Sequence, residues 1–179
     1  VRAVKETAAA HGRASATQAC LLPMGLLGAL NLKDIGDISL NASREMSGVI
    51  LKADVTGFDR KLRRMNPQRA YELINRMMEG CVPPVYESGG EIIDFENCGF
   101  KALYLSDCGR ALSGAVTMCE YVRSREAEHE EYRDFGIGIC YGAVMAGVVG
   151  HPRRMALSML SVYTGFAAFL QSIAGKYYA

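Results

Sequence analysis

The chain has no excess charge of either sign. Its 20 Lys and Arg nearly balance 19 Asp and Glu, for a formal net charge of +1 over 179 residues. That balance encodes no overall pull toward nucleic acid or an acidic membrane surface. A long hydrophobic run is also missing. The stretch Cys20-Leu21-Leu22-Pro23-Met24-Gly25-Leu26-Leu27-Gly28-Ala29-Leu30 is about half the ~20 residues a membrane span needs, and Pro23 interrupts it. It reads as a docking helix, not an anchor. No CxxC or metal-finger spacing joins the six cysteines at 20, 81, 98, 108, 119 and 140. Three of them fall inside apolar helix or strand patterns, as buried free cysteine does. Their usage favours an intracellular, reducing compartment, with the organelle open. No Ser-His-Asp order, Cys-His pair or GKS/T phosphate loop is present. Internal repeats and low-complexity tracts are absent too. Val1 is not an initiator methionine, so a removed targeting segment stays open.

What remains is an ordinary globular composition, 50% apolar and 22% charged, at the length of one domain. Residues 1–45 read as a helical and loop leader, with an Ala-rich part over 7–19 and a short amphipathic helix over 21–31. Residues 46–179 read as the domain proper. Gly48–Val55 is an apolar, β-branched run that suits a strand buried on both faces. Asn66-Pro67 is a helix start, because Asn caps free N–H groups and Pro is tolerated at the first helical position. Ala70, Leu73, Ile74, Met77, Met78 and Cys81 follow as one helix face. Pro83-Pro84 is expected to disturb that helix's end. Glu91–Phe95 and Phe100–Leu105 flank the turn Glu96-Asn97-Cys98-Gly99 as a hairpin. A second helix spans Cys108 to about Glu128, with Ala111, Leu112, Ala115, Val116, Cys119 and Val122 as its stripe. Its charged tail, Arg123 to Arg133, including His129, reads as solvated. Phe135–Val149 reads as two strands around Tyr141-Gly142, and Met155–Val162 as another. Tyr163–Ala174 closes as a helix. The glycines at 136, 138, 142, 147 and 150 suit close backbone approach better than a phosphate loop. The order β-α-β-β-α-β-β-α predicts an α+β sandwich, helices packed on a largely antiparallel sheet. Two basic clusters, Arg60-Lys61-Leu62-Arg63-Arg64 and Arg153-Arg154, read as a solvated helix face and a charged turn, with anion binding as the alternative. His151 belongs to that turn.

"ADVTGF" (53–58), "GGEIIDFENCGFKALY" (89–104) and "GIGICYGAVMAGVVGHPRRM" (136–155) resemble the class III adenylate/guanylate cyclase catalytic domain, in the family's order and near its spacing. "LLPMGLLGAL" resembles the short segment that leads into it, and "GVVGH" leans toward the soluble adenylate cyclase branch. The resemblance covers roughly residues 20–175. It implies a ferredoxin-like, cyclase-type sandwich that pairs head to tail. It also implies a reaction in which a ribose 3′-hydroxyl attacks the α-phosphate of a nucleoside triphosphate. In that family two Mg²⁺ ions, held by two aspartates and a backbone carbonyl, keep attacking and leaving oxygens in line.

Matched position by position, little of that machinery is present. The first metal aspartate corresponds to Asp54 and the carbonyl donor to Val55. The loop holding Gly57 and Phe58 would face the triphosphate. The second metal aspartate corresponds to Cys98, a soft atom where Mg²⁺ wants hard oxygen. The base-selecting Lys corresponds to Asp94, with reversed charge. The base-reading Asp corresponds to Val162, the catalytic Asn to Gly165 and the catalytic Arg to Phe169. Val162 and Phe169 can neither donate a hydrogen bond nor carry charge. The chain also ends before the family's last strands, so by resemblance the domain is C-terminally incomplete.

The expectation is therefore a catalytically inactive cyclase-homology domain, a scaffolding or regulatory module with another cyclase-like domain or larger assembly as partner. No nucleic acid partner, membrane span or cofactor is expected; Mg²⁺ or Mn²⁺ would enter only with residual nucleotide binding. Two alternatives stay open: a divergent active cyclase, and a nucleotide or small-ligand sensor. At the hairpin tip, Glu96 as a replacement ligand and Cys98 as a reactive thiol stand against a plain packed side chain.

Overall fold

Apolar and β-branched side chains favour a pleated, covered surface, and the run around Val49 forms such a strand. It is longer than the sequence suggests, spanning Ser43–Val55 (β1). The computed structural model describes residues 22–32, 37–40, 42–105 and 107–177. The expectations for residues 7–19 and for Cys20 lie outside these. In chain order the elements are α1 (Met24–Ala29), β1, α2 (Phe58–Leu62), α3 (Pro67–Glu87), β2 (Glu91–Glu96), β3 (Gly99–Tyr104) and α4 (Cys108–Arg125). A 3-10 turn (Glu130–Tyr132), β4 (Phe135–His151), β5 (Arg154–Leu160) and α5 (Val162–Tyr177) complete the order. This is the expected α+β class.

The chain divides into two units. The larger comprises Ser47–Gly142 and Val162–Ala179. Its strands hydrogen-bond in the order β2-β3-β1-β4. The β1–β3 and β2–β3 pairs are antiparallel. Strand alternation sends Val49, Leu51, Ala53 and Val55 to one face, where they join the core with Leu73, Met77, Cys81, Ala111, Met118 and Val122 from α3 and α4. Ile50, Lys52 and Asp54 take the other face. Asn66 caps α3 as expected, accepting from the Gln68 N–H at 2.8 Å.

The smaller unit comprises the described residues up to Met46 and Ala143–Ser161. There the second half of β4 pairs antiparallel with β5, from Met145 opposite Leu160 to His151 opposite Arg154. The Val148 N–H donates to the Ala42 carbonyl at 2.8 Å. Arg44 Nη1 donates to the Ala29 carbonyl at the end of α1 at 3.0 Å.

Several expectations need correction. Phe135–His151 is one strand, not two. Gly142 does not break the strand but does mark the close approach expected of it: a Cβ there would collide with the Tyr163 ring. The hairpin turn is only Asn97-Cys98, with Asn97 at φ 49°. Pro83 and Pro84 do not end α3, which continues to Glu87 because Pro84 and Val85 are buried against the core. Ser88 then closes it, donating from its hydroxyl to the Pro84 carbonyl at 2.6 Å. The charged tail is not wholly solvated. Tyr132 is buried, and its hydroxyl donates to the Leu73 carbonyl at 3.0 Å.

The stripe of α4 is also rotated from the one expected. Ala111, Gly114, Ala115, Met118 and Val122 are buried, while Leu112 and Val116 are exposed. This pair gives a direct test. Met118 is 0% exposed and Leu112 58%. Met118→Ala should lower stability in urea unfolding by about 2–5 kcal/mol, by lost transfer energy and a cavity. Leu112→Ala should stay within about 0.5 kcal/mol of wild type.

Candidate functional site

The site lies within the larger unit, on the face of β1 opposite the α3–α4 core. The strand period places Lys52 and Asp54 side by side there. Register then sets Lys52 opposite Lys101 on β3. A bulge in β2 between Ile92 and Asp94 re-aims that strand, so Asp94 pairs with Lys101. Two lysines directly across a ladder repel. Glu96 resolves the conflict by lying between them. Its Oε2 is 2.6 Å from Lys52 Nζ and its Oε1 2.6 Å from Lys101 Nζ. Lys101 Nζ is also 3.5 Å from Asp94 Oδ2.

Asp54 completes the cluster. Its Oδ2 lies 3.6 Å from Lys52 Nζ. Its Oδ1 accepts the Val55 N–H at 2.8 Å and the Cys98 thiol at 2.9 Å. The same thiol reaches toward the Val55 carbonyl at 3.9 Å. Gly99 makes this possible, since a Cβ there would sit 2.8 Å from Asp54 Cγ. Burial pushes the Cys98 thiol well above its usual pKa, and the hydrogen bond and charge of Asp54 push it further. Cys98 is 1% exposed and stays protonated at neutral pH. For Glu96 the largest influence, burial, would raise the pKa. Hydrogen bonds from Lys101 and Lys52, with their charges, outweigh it and hold the carboxyl below its ordinary value.

Gly57 adopts φ 73° and turns the chain from β1 into α2, and Phe58 is buried in the core. Asp134 braces that turn: its carbonyl accepts the Thr56 N–H at 2.9 Å, and its carboxylate meets Lys61 at 3.0 Å. α5 approaches β4 closely, because a Cβ at Gly136 or Gly138 would collide with the backbone of Gln171 or Ala167. Its side chain that reaches the Asp54 strand is Gln171. Gln171 Nε2 donates to the Asp54 carbonyl at 2.9 Å and to Thr56 Oγ1 at 3.2 Å.

Solved structures share this arrangement of elements. A bacterial light-regulated adenylyl cyclase matches at TM-score 0.74 and 18% identity, over 96% of this chain and 51% of that one. A second structure of a bacterial light-regulated adenylyl cyclase matches at TM-score 0.67 and 20% identity, over 73% of this chain and 41% of that one. The guanylyl cyclase Cya2 matches at TM-score 0.64 and 20% identity, over 73% and 72%. The chain has the fold of a class III nucleotide cyclase domain. At such identities the likeness is one of fold. The chain spans only about half, or less, of the light-regulated cyclases it matches. No protein-family model and no curated sequence matches it.

On this cyclase fold, the structure brings Asp54, Val55 and Cys98 together. Asp94 lies on the same cluster but is engaged by Lys101. Val162, Gly165 and Phe169 lie on α5. Val162 is 75% exposed and Phe169 62%, and nothing lies within 4 Å of a Cβ built on Gly165. The donor set does not fit a pair of magnesium ions. Mg²⁺ demands near-octahedral oxygen coordination. Here the oxygen of Asp54 that faces Cys98 meets a protonated thiol, and an ammonium stands against its other oxygen. Among the described residues no group of three or more His, Cys, Asp or Glu could hold a metal.

The sequence reading missed Lys52 and Gln171. Lys52 had a legible signal, a cation inside an apolar strand, which must find a partner once buried. Gln171 had none, because its role depends on how closely α5 meets β4.

Two measurements follow. Iodoacetamide should alkylate exposed Cys108 well before Cys98; equal rates by peptide mass spectrometry would contradict a buried, protonated thiol. The second concerns pH. Glu96 has a lowered folded pKa, so its contribution is present above the unfolded value of about 4.3 and is lost as pH falls through the folded value. The melting-temperature gap between wild type and Glu96→Gln should be steady near neutrality and close below about pH 4.

Proposed function

We propose that this domain is a non-catalytic cyclase-homology module that binds another cyclase-like domain, or a larger assembly, through the outward face of α5. The observation that carries the reading is that face itself. Val162, Phe166, Phe169, Leu170 and Ile173 recur at helical spacing and all are exposed. The inward face uses Ala167, Gln171 and Gly175 instead. A helix that is apolar on its outer side is normally covered. Three positions where the resembled family places polar catalytic and base-reading groups fall on this helix as Val162, Gly165 and Phe169.

The chemistry supports the same reading. Loss of one oxyanion-type donor typically costs about 2.7–4 kcal/mol of barrier. Loss of a metal ligand, an Asn and an Arg together compounds that, though not additively. No described helix is long and apolar enough to cross a membrane. The free thiols of Cys81, Cys98, Cys108, Cys119 and Cys140 fit a reducing compartment. An active cyclase is the second reading, favoured by the likeness in fold to solved adenylyl and guanylyl cyclases and by Asp54 and Val55 standing where the resembled family has its metal aspartate and carbonyl donor.

Purified protein given Mn²⁺-ATP or Mn²⁺-GTP, alone and with a catalytic cyclase domain, should form no cyclic nucleotide of its own. Product that disappears in Asp54→Ala would establish the second reading. Calorimetric titration with ATP and GTP should be flat; a Kd in the micromolar range would make the domain a nucleotide sensor. Association, tested first with the chain itself and then with a cyclase domain, should weaken at least tenfold in Phe166→Asp/Phe169→Asp, a loss of about 1.4 kcal/mol or more.

A further inference from the structure

We infer that Lys52 is a tethered cation standing in the electrostatic place of a divalent metal between Asp54 and Glu96, so that this carboxylate cluster is complete without an ion. The inference rests on the geometry of the cluster and is independent of what covers α5.

Lys52 lies in the middle of a buried strand, and its side chain is 7% exposed. An ammonium is costly to bury unless paired and hydrogen-bonded. It meets two carboxylates, Glu96 at 2.6 Å and Asp54 at 3.6 Å. Those are the two acids nearest the Cys98 turn, and a divalent ion at this place would have to bridge them. Lys101 takes the other oxygen of Glu96, at 2.6 Å. Lys52 and Lys101 together supply the charge of one divalent ion, against three carboxylates. The other oxygen of Asp54, Oδ1, is occupied by the Val55 N–H and the Cys98 thiol. Every carboxylate of the cluster is therefore turned onto a donor carried by the chain. A divalent cation entering here would be repelled by a fixed ammonium and would find a thiol where it needs an oxygen.

Circular-dichroism melts in EDTA and in millimolar MnCl₂ test this without any activity readout. Wild type should melt at the same temperature in both. Lys52→Met should melt about 10 °C lower in EDTA, because two acids lose their shared cation. Mn²⁺ should restore part of that loss, and the restoration should vanish in Lys52→Met/Asp54→Asn. If Lys52→Met does not fold, Lys52→Met/Glu96→Gln decides: removing the acid with its cation should return melting to near wild type. Four outcomes would overturn the inference. They are a Mn²⁺-dependent rise in wild type that Asp54→Asn abolishes, a Lys52→Met protein as stable as wild type in EDTA, a folded Lys52→Met indifferent to Mn²⁺, and a double variant no better than the single.

Discussion

A cation held inside a sheet has to be neutralised by groups that reach it, and those groups then become unavailable for anything else. Lys52 imposes that condition on the outer face of β1. It holds one oxygen of Glu96 and approaches Asp54. Lys101, directly across the ladder, would repel it without the shared acid. The bulge in β2 brings Asp94 to Lys101, which lets Glu96 divide itself between the two lysines. The hairpin turn, the bulge and the register of three strands are thus tied to one buried charge.

The second constraint is volume. α5 lies close to β4 because Gly136 and Gly138 offer no side chain at the contact. Only small or slender groups fit the inward face, and Ala167, Gln171 and Gly175 fill it. The large apolar side chains are left on the outside. The same closeness carries Gln171 to the Asp54 carbonyl, which ties the helix to the strand holding the acid cluster. The exposed face of α5 and its tie to the Asp54 strand are therefore two results of one packing choice.

Much of this was legible in the residues. The cap at Asn66, the α3 stripe of Ala70, Leu73, Met77 and Cys81, and the pairing of β2 with β3 follow from local rules of capping, period and turn. The meeting of Asp54, Val55 and Cys98 followed from the order of motifs that resembles nucleotide cyclases. The failures have one character. Tyr141-Gly142 looked like the break between two strands and lies inside one. Leu112 looked like core and is exposed, while Met118 is core. Pro83-Pro84 looked set to disturb the end of α3, yet the helix runs on to Glu87 with Pro84 and Val85 buried. Each depended on a neighbour from a distant part of the chain.

The sequence alone determined the class of most elements and their order, since periodicity, caps and turn residues act within a few positions, though not that Phe135–His151 runs as one strand. It also determined that the side chains of Val162 and Phe169 offer no hydrogen-bond donor, whatever the fold. Tertiary structure decided what the remaining polar groups do. Lys52 and Glu96 are 44 positions apart, and Gln171 bonds an acceptor 117 positions away. Whether such groups meet is a matter of strand register and of the depth at which a helix seats. Neither is written in the spacing of residues along one segment.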